Sequence, residues 1–224
     1  MRLKIKSKKK VIRNSITLLI IIGLGSIFMI QSTKNKVESI KGQMMVFGKD
    51  GYDDIFSWQG KNYKEFKQNK GSWAKKAYWD DKMETEGCGI TAIAIIASGY
   101  EKEITPDTLR RSYYPHLDGD NIPKVLQKDY DISCTDFVYQ ENYFTKSYIL
   151  DHLRQNKPIL VCVVNKPSYK WTTASHYLVL LATDEEEKIY VSNPNGERNT
   201  SKASNWYDAK DILPYIVKAV FITQ

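Results

Sequence analysis

The sequence predicts an α+β domain in which a buried helix packs on an antiparallel sheet. Two observations carry that reading, and their order completes it. The segment Gly89–Ser98 (GITAIAIIAS) is apolar nearly all round, is long for a strand, and runs into Gly99, a natural helix stop. Four short runs rich in β-branched and aromatic residues follow much later, separated by polar turns. They are ILVCVV after Pro158, HYLVLLAT from His176, KIYVS from Lys188, and VKAVFIT near the C-terminus. Helices first and consecutive strands afterwards is the α+β arrangement.

Taken in order, the chain of 224 residues opens with a basic segment, residues 1–13, followed by an apolar run ending at Ile30 (ITLLIIIGLGSIFMI). A positive flank before an apolar run reads as a signal peptide or an uncleaved signal-anchor. No Ala-x-Ala-like cleavage site follows, so the anchor is the favoured reading. Residues 1–31 are then a cytoplasmic segment and a single membrane span, with everything beyond on the outer side of the membrane. If the leader is cleaved, the domain is secreted. Residues 32–60 are polar with weak periodicity and read as a stalk, leaving 61–224 as one globular domain. Within it, Thr105-Pro106-Asp107 starts a helix, with Thr as cap and Pro in the first turn. Further helices are expected over 121–128 and 145–155. The runs at 159–164 and 178–182 are apolar on both alternating faces, which predicts central strands covered on both sides.

Charge excludes one class of function. The formal net charge is +7, but residues 1–42 hold ten basic side chains against the single Glu38, which leaves the remainder at −2. A nearly neutral domain offers no footprint for a phosphate backbone, so no nucleic-acid partner is expected. Three histidines without a HExxH-like pair give no zinc site, and no cofactor is implied.

The three cysteines, Cys88, Cys134 and Cys162, cannot all pair with one another and show no CxxC spacing. Cys88 stands in Glu86-Gly87-Cys88-Gly89, at the start of the buried helix. A helix N-terminus stabilises a thiolate, and a backbone N–H at that position helps hold an oxyanion. The flanking glycines permit a tight turn and close approach of a substrate carbonyl. Cys88 is therefore the candidate nucleophile, whereas Cys134 and Cys162 lie in strand-like apolar runs and read as core thiols. Of the histidines, His176 opens a central strand after a polar loop and is the candidate base. His152 reads as a surface or helix-packing residue, and His116 as a loop residue that could line a groove. Asn193, 17 residues after His176 and beyond the next strand, is placed to accept Nδ1–H and leave Nε2 facing the thiol. Taken alone, its Asn-Pro-Asn-Gly context reads as a turn.

The segments FKQNKGSWAKKAYW, EGCGITAIAIIASG, ITPDTLRR, NKPILVCVV, SHYLVLLAT and IYVSNP, in that order, resemble the papain-like cysteine peptidases. More narrowly they are similar to the bacteriocin-processing, double-glycine-leader peptidases and their stand-alone relatives. The resemblance spans roughly residues 63–195. It implies a papain-like fold, with the helix carrying Cys88 packed on a sheet carrying His176 and Asn193. It implies Cys88 as nucleophile, His176 as general base, Asn193 as orienting residue, and Gln68 as a side-chain donor to the oxyanion hole. Two positions depart from the family pattern: Ser175 stands where relatives often have Gly, and Asn193 where they often have Asp. The expected activity is hydrolysis of peptide bonds through an acyl-enzyme on a peptide or protein substrate. Two alternatives share the sequence: the same residues acting on cell-wall peptide crosslinks, and a catalytically silent domain that binds peptides.

Overall fold

The computed structural model describes residues 52–139, 144–196 and 203–224. The leader assigned to residues 1–31 and most of the stalk lie outside the described residues. Among the described residues no helix is long and apolar enough to cross a membrane.

The folded chain is already under way at Tyr52, inside the segment read from sequence as stalk. Strands β1 (Tyr52–Trp58) and β2 (Lys61–Phe66) form an antiparallel hairpin in which Phe56 pairs with Tyr63. Its two-residue turn, Gln59-Gly60, has positive φ at both positions (43° and 85°), which suits the twist of a tight hairpin. Phe56 is buried and stacks on Tyr190 with ring centroids 3.7 Å apart. Sequence patterning missed β1 because this partner lies far along the chain.

Helix α1 (Cys88–Ser98) is buried from Ile90 to Ala97 and packs against β2 and the sheet. Its all-round apolarity thus matches burial on all sides, each isoleucine contributing about 1.5–3 kcal/mol of hydrophobic stabilisation. Gly99 keeps helical φ (−69°) instead of forming a left-handed cap. Its role is room: a Cβ there would lie 2.1 Å from the Tyr63 ring. Helix α2 (Pro106–Ser112) is capped by Thr105, whose side chain accepts the Thr108 N–H at 3.2 Å. Helix α3 (Lys146–Arg154) is capped by Thr145 in the same way. The helix expected over 121–128 is a composite of a 3₁₀ turn (Gly119–Asn121), one α turn (Ile122–Lys124) and a π segment (Val125–Asp129). Pro123 has no N–H to donate and is tolerated because it sits in the first turn.

The main sheet has six antiparallel strands in the order β5 (Val138–Tyr139), β10 (Ile216–Phe221), β6 (Ile159–Val164), β7 (Ser175–Thr183), β8 (Lys188–Ser192) and β9 (Asn205–Asp208). The central pair, β6 and β7, divides two cores by strand alternation. Leu160, Val179 and Leu181 join the cluster of α1, while Val161, Val163, Leu178 and Leu180 join Ile149, Leu150 and Leu153 of α3. Two short strands, β3 (Ala77–Tyr78) and β4 (Asp81–Lys82), pair ahead of α1.

The strand expected around Cys134 is reduced to a single bridge to Ile222, and Cys134 is only half-buried, packed against the edge of the core around α1. This segment pairs only with the end of β10, through Thr135 N–H to Phe221 O and Thr223 N–H to Ser133 O. Cys162, on the central strand β6, is buried.

Candidate active site

Cys88 is the first residue of α1, and a four-residue helical turn (Met83–Glu86) delivers the chain to it through Gly87. A Cβ at Gly87 would lie 2.5 Å from the Met83 carbonyl oxygen, whose partner is the Gly87 N–H at 2.9 Å. Glycine is therefore needed to close this turn immediately before the thiol. His176 is the second residue of β7, and Asn193 follows the last residue of β8 directly. Because β7 and β8 are antiparallel neighbours, with Val179 opposite Ser192, these two strand ends meet.

Cys88, His176 and Gln68 line one cleft of about 520 Å³. Trp79, Glu84 and Glu86 line it on the α1 side, and residues 171–175 lead along it into β7. The backbone N–H of Tyr177 favours the charged form of the Cys88 sulfur.

The imidazole is oriented, though by the other nitrogen from the one expected. Nε2 of His176 lies 2.8 Å from Oδ1 of Asn193, and both residues are buried. The same Oδ1 accepts the Asn195 N–H at 2.9 Å, which identifies that atom as the carbonyl oxygen of the side-chain amide. An oxygen that only accepts requires a hydrogen on Nε2, so the lone pair of a neutral ring is on Nδ1. Spacing along a chain brings two residues together, but the rotamer decides which ring nitrogen faces which neighbour.

The thiol itself departs from the expectation of a thiolate favoured by the helix end. Burial pushes the Cys88 thiol up to about 11 from an ordinary 9.0. The N–H groups of Tyr177 and Gly89 pull it down, while Cys162 and Glu86 push it up. Desolvation of the charged sulfur outweighs the helix end. Ionisation at neutral pH then requires a cationic partner.

Gln68 also differs from expectation. It is buried beside the cleft, but its Nε2 donates to the Glu84 carbonyl at 2.9 Å and the Thr85 carbonyl at 3.2 Å. Both amide hydrogens are directed at the turn before Cys88, so an oxyanion would have to take over the longer bond. His116 stacks on Trp79 at 4.7 Å between centroids, and it is Trp79 that reaches the cleft. His152 packs edge-on against Phe221 at 5.0 Å, and burial lowers its pKa. Among the described residues no group of three or more His, Cys, Asp or Glu could hold a metal ion.

The sequence reading missed three residues behind Asn193. Lys67 is 2% exposed, and its Nζ donates to the Asn193 carbonyl and to Ser204 Oγ, each at 2.8 Å. Ser204 Oγ accepts the Asn193 N–H at 3.0 Å. Glu65 is 4% exposed and accepts from the Tyr190 hydroxyl at 3.1 Å. Nothing in the sequence KEFKQ marks Glu65 and Lys67 as buried; that belongs to the fold.

No curated protein matches this chain. A crystal structure of a C39-like peptidase from Bacillus anthracis is similar with a TM-score of 0.44 and 9% identity, over 62% of this chain and 88% of that one. The model of the Peptidase_C39 like family, by contrast, matches residues 60–213, a span that takes in the helix bearing Cys88 and the strands bearing His176 and Asn193. On that match the chain belongs to the Peptidase_C39 like family and is a cysteine peptidase.

Proposed function

We propose that the protein hydrolyses peptide bonds through a thioester acyl-enzyme, with Cys88 as nucleophile, His176 as acid and base, and Asn193 as orienting residue. The observation that carries this reading is the 2.8 Å contact of His176 Nε2 with Asn193 Oδ1, made by an imidazole that lines one cleft with Cys88. With Nε2–H engaged, His176 Nδ1 takes the proton from the Cys88 thiol, and the imidazolium stabilises the thiolate that burial alone disfavours. The thiolate attacks the substrate carbonyl. The oxyanion forms at the start of α1, where the helix end provides positive potential and Gln68 a side-chain amide. His176 then gives its proton to the leaving amine and removes one from the water that releases the acyl group. The chemistry needs no cofactor. On the sequence alone, residues 1–31 are the cytoplasmic segment and signal-anchor that hold this domain outside the membrane.

The test is cleavage of a peptide mixture by the full-length protein, read by mass spectrometry, with purified cell wall as a parallel substrate. Cleavage that is abolished in Cys88→Ala, with a hydroxylamine-labile acyl adduct on Cys88, supports the proposal. Full activity in Cys88→Ala would end it. Release from wall with no cleavage of linear peptides would move the substrate to wall crosslinks.

A further inference from the structure

We infer that Lys67 is a positioning residue, which through Ser204 and the Asn193 backbone holds the orienting amide against His176. This rests on the reading of Asn193 given above.

The argument begins with burial. Lys67 and Glu65 are 2% and 4% exposed, on a strand end where apolar residues of similar volume would pack without desolvating a charge. Replacing buried ion pairs by such residues is often neutral or stabilising, so a gain in stability is not the reason for an ammonium here. Its hydrogen bonds supply one. Lys67 Nζ reaches the Asn193 carbonyl and Ser204 Oγ, each at 2.8 Å, and Ser204 Oγ in turn receives the Asn193 N–H at 3.0 Å. Both backbone polar groups of Asn193 are thereby held by one closed circuit. The Asn193 carbonyl also accepts the Gly196 N–H at 3.1 Å, so the ammonium and the turn that follows Asn193 share that oxygen. Glu65 sits two residues earlier, where burial pushes its carboxyl above the ordinary range and the Lys67 charge offsets part of that push.

The next residue extends the stitching. The Gln68 N–H donates to the Pro194 carbonyl at 2.8 Å, and the Trp73 indole N–H holds the Lys67 carbonyl at 2.9 Å. One short stretch, 65–68, thus ties down the backbone of 193–194 and carries the glutamine beside the thiol. A shift of about 1 Å in Asn193 would break a 2.8 Å contact to the imidazole, and loss of such a supporting contact costs roughly 10-fold or more in function.

The experiment compares full-length Lys67→Met, Ser204→Ala, Asn193→Ala and Thr105→Ala with the parent. The probe is iodoacetamide labelling of Cys88 across pH 5–9, read by peptide mass spectrometry, together with the imidazole ¹⁵N shifts of His176. Thr105→Ala controls for simple destabilisation, since it removes a helix cap outside the cleft. We expect Lys67→Met to lower the labelling rate at pH 6.5 about tenfold and Ser204→Ala about threefold, both with mixed ring tautomers, as in Asn193→Ala. Ser204→Ala carries the test alone if Lys67→Met does not fold. If both match Thr105→Ala while Asn193→Ala changes the profile, the inference about Lys67 fails and the reading of Asn193 stands. If Asn193→Ala also leaves the profile unchanged, that underlying reading fails, and this inference with it.

Discussion

The Cys88 thiol supplies the sharpest prediction, because its surroundings work against the charge it must carry. Raised to about 11 from 9.0, an unpartnered Cys88 is ionised at neutral pH about a hundredfold less than an ordinary thiol. At pH 7 that is roughly one molecule in ten thousand. Cys134 is a built-in reference: burial also pushes it up to about 11, it is partly exposed, and its side-chain partner is Gln127, not a histidine. Pairing with the His176 imidazolium should therefore make Cys88 react with iodoacetamide at least about 30-fold faster than Cys134 at pH 6.5. His176→Ala removes the partner and leaves the desolvation, so the two rates should converge to within about threefold. Quantitative mass spectrometry of the two labelled peptides, sampled over time in one tube, measures the ratio without a substrate. Equal rates in the parent, or a ratio untouched by His176→Ala, would refute the reasoning.

Glu86 pushes the Cys88 thiol upward from the same cleft, so Glu86→Gln should raise the labelling rate of Cys88 at neutral pH about two- to threefold. Stability should fall in alkali. The native Cys134 thiol resists ionisation to about 11, while an unfolded thiol ionises from 9.0. Its contribution is intact below pH 9 and is lost as pH rises towards 11, so the urea midpoint should drop across that window and drop less in Cys134→Ala. Gly99→Ala drives a methyl group into the Tyr63 ring and should cost about 1–3 kcal/mol by urea titration. Thr105→Ala removes the acceptor of the Thr108 N–H and should cost about 1 kcal/mol while leaving Cys88 labelling unchanged.

What could be read from the sequence was what depends on neighbours close along the chain. The apolar run after Cys88 demanded a helix with no exposed face, Thr105 and Thr145 stand where helices begin, and the unbroken apolarity of 159–164 and 178–182 marked strands covered on both sides. The spacing of His176 and Asn193 around one antiparallel turn is enough to bring two strand ends together. Tertiary structure decided the rest. Strand β1 exists because Phe56 finds Tyr190, more than a hundred residues away. The imidazole presents Nε2, not Nδ1, to Asn193, since a rotamer is set by packing and not by spacing. Gln68 spends its amide on the turn before Cys88, and the thiol is raised because desolvation exceeds the pull of a helix end. Lys67 and Glu65 are charges that the fold buries, which nothing in their local sequence signals. Burial is a property of the assembled chain, and it determines whether a charge faces water or braces a neighbouring residue.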